Sequence, residues 1–64
     1  MKFIIEIYAT ASDESETLLH RTTISAINPL AARKQASLLL AGRKKATGAR
    51  VLNGQGEVVY KIDK

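Results

Sequence analysis

Asn28–Gly48 reads NPLAARKQASLLLAGRKKATG, and the conformation of this stretch decides how the other elements of the chain are arranged. Asn28 is a good N-cap, because its side-chain oxygen accepts from a backbone N–H left free in the first helical turn. Pro29 suits the first helical position, where its missing N–H has no intrahelical partner to lose. Ile27, just before the cap, can pack on Ala32 as a weak hydrophobic staple. The residues that follow are mostly strong helix formers. Arg43, Lys44 and Lys45 complement the negative end of the helix dipole, and Gly48 suits the position after the last turn. The pattern predicts a helix over about 29–46. At about 100° per residue, Ala31, Ala32, Gln35, Ala36, Leu38, Leu39 and Leu40 gather on one broad side. Arg33, Lys34, Ser37, Lys44 and Lys45 gather on the other, with Leu30 and Ala41 among them. Arg43 falls near the apolar side and has to snorkel from the helix end.

On either side of this segment the period changes from helical to two-residue. Lys2–Thr10, KFIIEIYAT, puts Phe3, Ile5, Ile7 and Ala9 on one face and Ile4, Glu6, Tyr8 and Thr10 on the other. Ala11–Glu16, ASDESE, is a polar loop, and Thr17–Ser25, TLLHRTTIS, is a second strand that pairs antiparallel with the first across it. After the helix, Ala49–Asn53 forms a short strand, and Asn53-Gly54-Gln55-Gly56 turns into Glu57–Ile62. In that last strand Val58, Tyr60 and Ile62 share one face, and Val59 and Lys61 the other. The expected architecture is α+β, a single compact domain over 1–64 in the order β-β-α-β-β. It has a four-stranded, mainly antiparallel sheet with one helix packed on one face.

Composition narrows the function classes. The chain has 64 residues, no Cys, one His and a formal charge of +4. Disulfides and thiolate metal sites are therefore excluded. No apolar run approaches the length of a membrane span, so no membrane partner is expected. Met1-Lys2 leads straight into a strand pattern, which reads as a cytoplasmic chain without a leader. The charge is uneven. Lys2 stands against Glu6, Asp13, Glu14 and Glu16 in residues 1–16. Residues 17–56 carry Arg21, Arg33, Lys34, Arg43, Lys44, Lys45 and Arg50 with no acid at all. Such a run builds a positive surface wherever it folds onto one side.

The candidate nucleic-acid-binding set is Arg33, Lys34, Ser37, Arg43, Lys44, Lys45 and Arg50, acting on the phosphate backbone through cations and one hydroxyl. The plain alternative is a solvated helix face. The sheet face away from the helix is half apolar, and a domain of this size has a small core, so Ile4, Tyr8 and Val59 are candidate contacts of a homodimer. Tyr8 is also the one ring available there to stack a base, because Phe3 and Tyr60 point to the helix side. His20 lacks a nucleophile to activate. The acids of the 11–16 loop do not match a calcium-loop spacing, and the two glycines at 54 and 56 lie between strands rather than before a helix. No catalytic constellation, metal site, cofactor or small-molecule substrate is indicated, and the expectation is a non-enzymatic binding module.

Overall fold

The computed structural model covers residues 1–64 and contains β1 (Lys2–Thr10), β2 (Glu16–Ser25), α1 (Pro29–Ala41), β3 (Gly48–Leu52) and β4 (Val58–Asp63). The strands form one sheet in the order β2-β1-β3-β4, every neighbouring pair antiparallel. This is the α+β, β-β-α-β-β arrangement expected from the sequence. Since β2 and β3 both oppose β1, they run parallel to each other with β1 between them. The helix carries the chain from one edge of β1 to the other.

The helix begins as its sequence dictates. Asn28 is extended, its Oδ1 accepts from the Ala31 N–H at 2.8 Å, and Pro29 opens the first turn. Its end comes earlier than the expected 46. Gly42 caps it, donating to the Leu38 carbonyl at 3.3 Å, and Arg43 donates to Leu40 at 3.1 Å. Gly is a poor helix former, and three consecutive cations after it repel one another. Ala46, further on, is buried in the core instead of turning with the helix. Gly48 is the first residue of β3 and not a helix cap.

The core lies between α1 and the inner face of the sheet. Phe3, Ile5 and Ile7 of β1 and Ala49 and Val51 of β3 meet Ala32, Ala36 and Leu40 of the helix, with Ala46 closing one end. Ala32, Ala36 and Leu40 are spaced by four, the narrow inward line of a helix. The two alanines let the helix backbone approach the sheet closely. Leu38 sits two positions from Ala36, about 200° round the helix, and is 75% exposed, not buried as its neighbours suggest. Leu30 and Ile27 are also exposed. The outer helix surface is therefore a mixture of leucine and lysine.

Two bulges break the strand alternation. Ile7 pairs with His20 and Tyr8 with Leu18, leaving Leu19 as the extra residue of β2. Val51 pairs with Tyr60 and Leu52 with Val58, leaving Val59 as the extra residue of β4. The second bulge moves Val58 opposite Leu52, on the outer side, and away from the inner face shared by Tyr60 and Ile62. The hairpin between β3 and β4 closes on Asn53, whose Oδ1 accepts from the N–H groups of Gln55 and Glu57 at 2.9 and 3.0 Å. Gly56 supplies the positive φ of 83° that this turn requires.

Gly48 has a different reason to be glycine. It pairs with Tyr8, and a Cβ there would lie 2.6 Å from the Tyr8 hydroxyl oxygen and 2.7 Å from Cζ. The ring occupies the space a side chain would fill. Gly48→Ala is expected to destabilise the chain by about 1–3 kcal/mol, the usual cost of overpacking, read as a lower urea midpoint. The same substitution made on a Tyr8→Leu background should cost clearly less. Equal losses in both backgrounds would mean that the ring is not the obstacle.

Candidate anion-binding surface

The sheet divides the charges of the chain between its two sides. On the outer face, Arg50 of β3 lies beside Glu6 of β1, with Nε 2.7 Å from Oε1. Its Nη2 donates to Glu16 of β2, and Arg21 Nε lies 3.3 Å from the second oxygen of Glu6. The guanidinium carbon of Arg50 sits 4.8 Å from the centroid of the Tyr8 ring, a cation–π distance. Hydrogen bonds to Glu16 and then to Glu6 hold the Arg50 guanidinium above its already high ordinary pKa. The same bond from Arg50, followed by its charge and that of Lys61, holds the Glu16 carboxyl below its usual 4.5.

Two sequence expectations change here. Arg50 does not extend the helix cations, because it faces the other side of the sheet and both of its carboxylate partners are there. Tyr8 is only 4% exposed, covered by Arg50 and laid across Gly48, so it offers neither a stacking platform nor free contact area. Ile4 is half-buried and Val59 is exposed at its bulge. The cross-strand network of Glu6, Arg50, Glu16 and Arg21 was not read from the sequence. The opposite charges of Glu6 and Arg50 signal it only once β3 is known to lie against β1.

On the helix side the cations have no carboxylate partner. Arg33, Lys34 and Ser37 are exposed on α1. Arg33 lies at the flank of the helix over Tyr60, its guanidinium carbon 5.7 Å from the ring centroid. Arg43, Lys44 and Lys45 are exposed on the turn after the helix and do not continue its stripe. Every ion pair in the molecule uses Arg21 or Arg50. The set is thus two groups on one layer, one on the second helical turn and one at the far end. The far group lines an open groove of about 330 Å³ with Gly42 and Leu19, the residue that the β2 bulge displaces.

The remaining candidates resolve into local structure. Asp13 accepts from the Ser15 hydroxyl and N–H at 2.7 and 3.0 Å, and these two bonds lower its pKa. No group of three or more His, Asp or Glu side chains is placed to hold a metal ion. His20 is half-buried opposite Ile7. No helix is long and apolar enough to cross a membrane. No protein-family model, curated protein or solved structure matches the chain.

Glu16 sets a testable acid limb. A carboxyl whose folded pKa is depressed stabilises the fold fully above its ordinary pKa and loses that contribution as pH falls through the folded value. Melting temperature is therefore expected to fall as the pH is lowered below the usual 4.5 of Glu16, and to fall less steeply in Glu16→Gln. Parallel curves for the two proteins would show that the Arg50 bond does not matter to stability.

Proposed function

We propose that this chain is a non-enzymatic module that binds polyanions, nucleic-acid phosphate backbone in the first place, through Arg33, Lys34, Ser37, Arg43, Lys44 and Lys45. One observation carries this reading. The fold pairs Arg21 and Arg50 with carboxylates on the outer sheet face and leaves Arg33, Lys34, Arg43, Lys44 and Lys45, with Lys64 beside the last three, without one. Unpaired cations on one layer release counterions on meeting phosphate, which supplies affinity without base reading. Arg43, Lys44 and Lys45 form the denser group, and Ser37 adds a hydroxyl donor. Arg50 leaves the set for the reason given above.

A second reading keeps the outer sheet face as a homodimer contact, but moves its centre. Val58 and Val59, both exposed at the β4 bulge, adjoin half-buried Leu52 and Ile4 and form an apolar corner. Tyr8 is already occupied within its own chain.

Binding to mixed-sequence DNA or RNA is expected to weaken roughly 10²-fold between 50 and 200 mM salt if about four phosphates are neutralised. Replacing Arg43, Lys44 and Lys45 together by Ala should make the slope of log affinity against log salt shallower by about three contacts' worth. Absence of binding at low ionic strength would end the proposal. For the second reading, a mass near twice 7.0 kDa in solution, returning to the single value in Val59→Glu, is the expected result. A monomer at high concentration removes it.

A further inference from the structure

We propose that the Gly42–Lys45 groove is a pocket for a terminal phosphate: a phosphomonoester at the end of a nucleic-acid strand or on a nucleotide. This rests on the polyanion reading and narrows it to one subsite.

Three consecutive cations, Arg43, Lys44 and Lys45, line the same open groove. The backbone adds donors. The N–H groups of Gly42, Arg43, Ala46 and Thr47 are all taken, by Leu38, Leu40, Arg43 and Tyr8 carbonyls, whereas those of Lys44 and Lys45 donate to no protein acceptor. Two successive free N–H groups beside cationic side chains are the elements of an anion-binding concavity.

The turn is also held in place. Leu40 before it and Ala46 after it are buried, and the Arg43 carbonyl accepts from both the Ala46 N–H and Lys64 Nζ. Lys64 thereby brings a fourth cation to this corner. Donors fixed before the ligand arrives lose little freedom on binding.

The preference for a chain end follows from valence. A phosphomonoester carries about −1.5 to −2 charges near neutrality and three strong acceptor oxygens, whereas an internal diester carries a single charge and two free oxygens. Three cations and two N–H groups around one concavity match the former. Leu19, placed here by the bulge, gives the groove an apolar wall for the sugar.

The test compares short oligonucleotides of one sequence carrying a 5′-phosphate, a 3′-phosphate or neither, with amide NMR as the second readout. A phosphorylated end is expected to bind roughly tenfold more tightly. That advantage should vanish in the Lys44→Ala, Lys45→Ala double variant and persist in Arg33→Ala, Lys34→Ala. Titration with a nucleoside monophosphate should move the Lys44 and Lys45 amide signals at lower concentration than inorganic phosphate does. Inorganic phosphate acting equally well would overturn the sugar contact. Equal binding of phosphorylated and unphosphorylated strands overturns the pocket and leaves the polyanion reading intact. If no strand binds, the polyanion reading fails; unmoved Lys44 and Lys45 amides under the nucleotide then overturn the pocket as well.

Discussion

The whole arrangement depends on β3 pairing with the edge of β1 that β2 leaves free. That one pairing sets Val51 beside Ile5 and Ala49 beside Ile7 on the inner face, and Arg50 beside Glu6 and Gly48 beside Tyr8 on the outer. The inner pairs make the floor on which the helix rests. The outer pairs make a closed platform, with a ring laid over a glycine, a guanidinium over the ring and carboxylates on the guanidinium. Exposed ion pairs contribute little to stability, but Glu6 is largely buried and Arg50 about three-quarters so. Removing either leaves the other a single remaining partner, Glu16 for Arg50 or Arg21 for Glu6. The platform holds Arg21 and Arg50 on that side.

The helix side follows as a remainder. Ala32 and Ala36 bring the helix backbone onto the sheet, and the short span from Leu40 to Gly48 must then return the chain to β3. A helix running to residue 46 would carry it past that edge. Gly42 ends the helix, Ala46 drops into the core, and the three cations between them are lifted onto an exposed turn. Their grouping is thus a product of chain geometry and not of a helical stripe.

Much of this was legible in the sequence. The Asn28-Pro29 cap, the alternation in KFIIEIYAT, the polar loop and the Asn53–Gly56 turn each depend on local chemistry alone, and each lies where the local rules put it. What was not legible depends on partners distant in sequence. A bulge adds a residue without changing composition, so nothing in GEVVYKI marks Val59 as the extra one. The burial of Tyr8 requires a glycine forty positions away. Leu38 misleads because a broad arc of six apolar residues and Gln35 does not reveal its centre line. The sheet selects the narrow Ala32–Ala36–Leu40 row, and the bulkier leucine beside it is left in solvent. Among the candidate cations Arg50 faces the side of the sheet away from the helix, beside Glu6, and only the strand order assigns it that face.

A purely structural account of the cationic turn is that it answers the negative end of the helix dipole. That effect fades beyond the last turn and is met by a single nearby cation at about 0.3–1 kcal/mol. Here the helix ends at Ala41, and Gly42 and Arg43 already donate to carbonyls of the last turn. Lys44 and Lys45 lie past that range and repel Arg43 and each other. Lys64 adds to the repulsion while bonding the Arg43 carbonyl. None of the ion pairs of the molecule reaches this turn. Arg43, Lys44 and Lys45 line one groove with Leu19, and an anion supplied from outside would neutralise them there.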